Sequence, residues 1–208
     1  MPTAPQQKSP WPSYEADTAD GRRQRSERSR KQIIEAMFEL MREGDIRPSA
    51  ADVAERAGVG LRTVFRHFED METIFEEMTE ELKTIVMPMV FAPYEATDWR
   101  GRLMEAVDRK AQIYELLFPM QVALLARRFG SEFLARQYNY EVNLVRSTLQ
   151  SILPEAVVAD KALFAAIEVN HTFATWRRLR EDQSLSVEAA TETIKRIMSA
   201  LIADVDVE

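Results

Sequence analysis

From Arg25 to Arg42 the apolar residues fall at Ile33, Ile34, Met37, Phe38 and Met41, the spacing of a helix that buries one stripe. Gly44 stands where such a helix stops. Ser49 then N-caps a helix over 49–57, which ends at Gly58. The turn Gly58-Val59-Gly60 leads into a short helix at 61–67. Asp70 caps the next helix, which the pattern carries to Met87, where Pro88 interrupts it. Helical stretches follow at 98–117, from Pro119 to Gly130, over 131–151, from Asp160 to Arg180 and from Ser186 to Ala203. No alternating run of strand length occurs, and no long internal repeat. The expected fold class is all-α: a three-helix N-terminal helix-turn-helix module over 22–68, followed by a six-helix domain over 69–208.

The stretch SAADVAERAGVGLRTVFRHF, residues 49–68, carries the most information. Two short helices joined by a tight Gly-containing turn make a helix-turn-helix. Ala54 is small where the helices cross, and Gly58 can take the left-handed conformation that the turn needs. Val53, Ala57, Val59, Val64 and Phe68 supply a small core, which leaves Arg62, Thr63, Arg66 and His67 facing out. Arg and Thr on such a face suit phosphates and base edges. The plainer alternative is a helical hairpin with a solvated basic face.

Charge placement sharpens the picture. The 208 residues carry a net −7, unevenly: residues 21–68 hold 11 Lys+Arg against 7 Asp+Glu, while 69–208 hold 15 against 24. A basic end on an acidic body suggests a separate electrostatic task there. The acidic run from Glu69 through Glu72, Glu76, Glu77, Glu80 and Glu81 is expected to be a solvated helix face. There is no cysteine and there are two histidines, so neither a metal site nor a cofactor is expected. Residues 1–21, with Pro2, Pro5, Pro10 and Pro12, are expected to form a disordered tail rather than a secretory signal. With no apolar run of membrane length, the expected location is the cytoplasm, without a membrane partner.

The segment RKQIIEAMFELMREGDIRPSAADVAERAGVGLRTVFRHFEDMETIF, residues 30–75, resembles the DNA-binding domain of the TetR family of bacterial transcriptional repressors. The core DVAERAGVGLRTVFRHF is the specific part. The resemblance implies that 61–67 is a recognition helix for the major groove of double-stranded DNA, with Arg62 and Thr63 at base edges. It implies phosphate contacts from Ser49, Phe65, Arg66 and His67. The arm at 22–30, with Arg25 and Arg28, adds backbone or minor-groove contacts. Two positions depart from the family pattern: Phe65 replaces a usual Tyr, and Met71 replaces a usual Lys.

For residues 69–208 the resemblance implies a ligand-binding and dimerisation domain. Candidate contacts to a small-molecule effector are Tyr114, Phe118, Gln121, Tyr138, Asn139, Asn170 and His171; the alternative for each is plain core, a satisfied polar group or a surface position. Phe173, Trp176, Leu179, Ile194, Ile197, Met198 and Leu201 form stripes on the last two helices, implied to pair with a second copy as a four-helix bundle; alternatively they pack within one subunit. The expected function is therefore a ligand-responsive repressor that binds a palindromic operator as a homodimer. No phosphate loop, dinucleotide fingerprint or hydrolase elbow occurs, so an enzyme is not expected. The alternative is a helical protein-binding adaptor that has lost specific DNA binding.

Overall fold

The computed structural model describes the backbone of residues 21–206 and the side chains of 24–206. Of the expected tail over 1–21, residues 1–20 lie outside the described residues, as do the Arg22 and Arg23 side chains, while Gly21 is helical rather than part of a tail. The elements are α1 (Gly21–Arg42), α2 (Ala50–Arg56), α3 (Leu61–His67), α4 (Met71–Val90), α5 (Trp99–Arg127), α6 (Glu132–Ile152), α7 (Glu155–Ala159), α8 (Lys161–Asn170) and α9 (Phe173–Arg177). A π-helical turn (Arg178–Asp182) and α10 (Val187–Leu201) complete the fold. Among the described residues there is no strand, and no helix is long and apolar enough to cross a membrane. The chain divides into two compact units that meet in sequence at Val86 and Met87, inside α4.

In the first unit, α1 and α2 end in the same way. Gly44 takes φ 104° and Gly58 φ 65°, values that favour glycine. Asp45 N–H bonds Leu40 C=O while Gly44 N–H bonds Met41 C=O. Val59 N–H and Gly58 N–H repeat this on Ala54 and Glu55. Both ends are Schellman motifs, which satisfy carbonyls that a helix terminus leaves unpaired. At the other end of α2, Ser49 Oγ accepts from Asp52 N–H at 3.2 Å while the Asp52 carboxylate accepts from Ser49 N–H at 3.1 Å, a capping box. Ile33, Ile34, Met37, Phe38 and Met41 are buried, as are Val53, Val64, Phe68, Ile74, Phe75 and Met78.

One charged side chain reaches three of these elements. Arg30 of α1 forms a bidentate pair with Glu77 of α4 and donates to His67 C=O, the last carbonyl of α3, at 2.7 Å. Its guanidinium lies 4.5 Å from the Phe68 ring centroid. Glu77 thus belongs to an ion pair rather than to a purely solvated acidic face. Asp70 accepts from Thr73 N–H, as an N-terminal cap should.

In the second unit, two prolines fail to stop their helices. Pro119 lies inside α5 and Pro88 inside α4, where breaks were expected. An interior proline costs ~3 kcal/mol. Leu117, Met120 and Leu124 sit on either side of Pro119 and are all buried. At ~1.5–3 kcal/mol for each large side chain, continuing the buried face outweighs the lost N–H bond.

The expected single helix over 160–180 is instead α8, α9 and the π-helical turn. Local side chains compete with the helical ladder. Asn170 Nδ2 donates to Ala166 C=O, and Thr172 Oγ1 donates to Val169 C=O while accepting from Thr175 N–H as the N-cap of α9. The carbonyl exposed at the break, His171 C=O, accepts from Tyr114 Oη–H of α5 at 2.6 Å. Glu115, next along α5, accepts from Trp176 Nε1–H at 2.9 Å and from Arg180 Nε–H at 2.8 Å. These bonds hold the irregular segment onto a core that includes Leu103, Val107, Leu149, Ile167, Trp176 and Met198.

Two outcomes follow from these contacts. Arg30→Met should cost about 1–3 kcal/mol in urea denaturation, because it strips His67 C=O of its donor, whereas Glu77→Gln should cost less. Burial holds the His171 imidazole down to about 4, with the nearby Lys110 charge adding to the effect against the Ile167 carbonyl. The unfolded chain, near 6.5, binds the proton first, so stability is lost as pH falls from about 6.5 towards 4. Between pH 7.5 and 5, His171→Gln should lose on the order of 1–2 kcal/mol less than the native chain by the same assay.

Candidate nucleic-acid interface and ligand cavity

The outward face of α3 carries Leu61, Arg62, Phe65 and Arg66. Arg62 and Arg66 are exposed, and Thr63 is half-buried one position from Arg62. Phe65 is 52% exposed and Leu61 45% exposed, unusual for large apolar side chains on a short helix. Val64 and Phe68, at 1% and 2%, hold the opposite face down. The face therefore offers two guanidinium groups around an apolar ridge.

The remaining candidates for DNA contact are placed differently. His67, expected to face out, is half-buried, and its Nε2 is enclosed without a partner. Burial lowers its pKa, with Arg66 and Arg30 adding to the shift, so the ring favours its neutral form. Its carbonyl is engaged by Arg30. The Ser49 hydroxyl is committed to the capping box of α2. Arg25 and Arg28 are exposed on α1. Arg30, counted with the basic arm in the sequence, is turned to Glu77 and His67 instead.

In the second unit a small cavity of about 20 Å³ lies among α4, α5, α6 and the end of α8, room for about one water. Its walls include Val90, Tyr94, Ile113, Thr148, Leu149 and Ile152, together with Arg109, Lys110 and His171. Arg109 is tied down: it donates to Val90 and Pro93 carbonyls and stacks 4.1 Å over the Tyr94 ring. Burial brings Lys110 down to about 8, with the Glu141 charge acting against that shift. His171 Nδ1 lies 3.2 Å from Ile167 C=O, which requires the proton on Nδ1 and leaves Nε2 as a bare acceptor. Nε2 is buried and has no partner.

Of the ligand candidates named from the sequence, His171 lines this cavity. Tyr114 spends its hydroxyl on the α8–α9 break, and Phe118 packs edge-on against Phe173 at 5.2 Å. Gln121 Nε2 donates to Glu141 at 2.9 Å. The Arg128 guanidinium stacks 3.8 Å over Tyr138, Asn139 is exposed, and Asn170 bonds within its own helix. Sequence reasoning missed Lys110, although the signal was present. Lys110 falls between Val107 and Tyr114 on the buried stripe of α5, a polar residue at an apolar helical position.

The last two apolar stripes are largely interior to this chain. Phe173, Trp176, Leu179, Ile194 and Met198 are buried in the core of the unit. Ile197 and Leu201 remain only partly buried.

The model of the bacterial regulatory proteins of the tetR family matches residues 33–78, which contain the whole of α2 and α3. The fold is similar to that of a transcriptional regulator from Rhodococcus sp. Rha1, solved by crystallography. The TM-score is 0.63 at 17% identity, covering 88% of this chain and 98% of that one. No curated protein matches by sequence. The helix-turn-helix with its two guanidinium groups thus lies within the segment that matches the DNA-binding part of the bacterial regulatory proteins of the tetR family.

Proposed function

We propose that the protein is a ligand-responsive repressor that binds a palindromic operator as a homodimer and leaves it when a small molecule binds. The observation that carries this reading is the outward face of α3, where Arg62 and Arg66 flank Phe65 on a helix held by a Schellman turn and the Arg30 clamp. Arg62, in the first turn, reads a base edge together with Thr63, and Arg66, in the last turn, binds phosphate. Phe65 contributes apolar contact rather than a hydroxyl. Arg25 and Arg28, exposed on α1, serve the phosphate backbone; Ser49 and His67 contribute little, given the capping bond and the burial described above.

A single short recognition helix reads few bases, so specificity calls for two half-sites about one helical turn apart. Ile197 and Leu201 of α10, with Val169 of α8 at 54% exposure, supply apolar surface for a second copy. The cavity supports ligand response, because Val90 in its wall is the last residue of α4 and that helix belongs to both compact units. A ligand that displaces Val90 biases the helix that continues into the DNA-binding unit, which is a coupling between two sites. Exposed Leu61 and Phe65 also favour a second reading, a helical adaptor that docks protein through α3.

Selection of bound duplexes from a random pool at near-physiological salt tests both readings. The expected outcome is a palindrome. Recovery of no shared sequence, with binding lost on modest added salt, favours the adaptor. On the recovered site, Arg62→Ala should cost about 1–3 kcal/mol and relax preference at one base pair of each half-site. Arg66→Ala should weaken all duplexes alike and reduce the salt slope by about 1 per subunit. Ile197→Glu should yield a monomer in sedimentation and lose the palindrome's advantage over a half-site.

A further inference from the structure

Lys110 is an anomaly in the cavity wall. Its side chain is half-buried, and among the described residues it makes no hydrogen bond or ion pair, only a ring contact with Tyr114 at 5.5 Å. The nearest acid to act on it is Glu141, which already accepts from the Gln121 and Gln137 amides. His171 lines the same cavity, and its Nε2 is a buried acceptor with nothing to accept. A buried acceptor without a donor is expensive to keep, and the half-buried ammonium in the same wall is bonded to no acid. Apolar Val90, Ile113, Leu149 and Ile152 make up much of the remaining wall.

We propose that this cavity receives the carboxyl group of a small organic acid, one oxygen accepting from Lys110 Nζ and the other sharing a proton with His171 Nε2. This inference rests on the ligand-responsive reading above and names the chemical class of its effector. The hydrocarbon part of the acid lies against the apolar wall, and because the cavity has room for about one water, its entry displaces wall residues.

The proton balance is fixed by the groups present. Free in water near neutral pH the acid is a carboxylate, and free His171 is neutral with its one proton on Nδ1. In the complex one additional proton lies between the carboxyl oxygen and Nε2, so binding takes up about one proton from solvent. The other groups around the cavity do not supply it. Arg109 from α5 is held by two carbonyls, Tyr94 packs beneath it, Tyr114 donates to His171 C=O, and Thr148 from α6 donates within its own helix. Glu141 from α6 is held by two amides.

The test is calorimetric titration of the full chain with sodium hexanoate, with 1-hexanol and hexylamine as controls, in two buffers of different ionisation enthalpy. Hexanoate should bind and take up about one proton, with its affinity falling about tenfold per pH unit above pH 6, while the two controls should not bind. Lys110→Met should weaken hexanoate at least tenfold without lowering the melting temperature, since the Lys110 ammonium makes no hydrogen bond or ion pair in the free chain. Equal binding of 1-hexanol, no binding of hexanoate at millimolar concentration, or unchanged affinity in Lys110→Met overturns the proposal. Should Lys110→Met not fold, the proton count and the acid-to-alcohol contrast in the native chain decide alone. Release of a selected duplex is followed in parallel. Hexanoate that binds without releasing duplex supports the acid site and sinks the ligand-response reading. Release by a non-acid, with no acid binding, does the reverse.

Discussion

The DNA-binding unit depends on Arg30. Its guanidinium faces Phe68, bonds the last carbonyl of α3 and pairs with Glu77 of α4, so one side chain on α1 fixes where α3 ends and where the next helix starts. A cation at a helix C-terminus is favourable in itself, because it satisfies a carbonyl and opposes the negative end of the dipole. The arrangement also separates the basic residues by task. Arg62 and Arg66 remain on the open face of α3, while Arg30 is withdrawn into the fold. A count of basic residues treats the three as equal; their geometry does not.

The second unit is governed by competition between helix continuity and burial. Pro119 should end a helix, but Leu117, Met120 and Leu124 gain more from an unbroken buried face than the missing N–H costs. At His171 the balance goes the other way. Asn170, Thr172 and Thr175 bond local carbonyls, and the chain leaves the helical path. The break is tolerable because Tyr114 satisfies its carbonyl from α5 and Glu115 grips the segment beyond it. It also leaves the His171 ring at the end of α8 in the wall of the cavity that Lys110 lines.

Lys110 and His171 are therefore products of one arrangement. The hydroxyl of Tyr114, one turn along α5 from Lys110, anchors the break from which His171 presents its imidazole. Burial lowers the pKa of both groups, a condition that favours partners able to bring a compensating charge or proton.

The sequence by itself determined the helical class and the helix-turn-helix with its boundaries, because those depend on local rules. Apolar spacing, a glycine able to take positive φ and a serine three residues before an aspartate act within a few residues of one another. Val53, Val64 and Phe68 inside with Arg62 and Arg66 outside was legible for the same reason. Packing alone settles what distant residues do to each other. The stripes at Phe173, Trp176 and Ile194 read alike whether their partner is this chain or another, and the core claims them here. The continuation of α5 through Pro119, the inward turn of Arg30 and His67, and the meeting of Lys110 with His171 all depend on contacts many tens of residues apart. No local pattern encodes these, since each is settled by which burial or charge pairing costs least once the helices are packed.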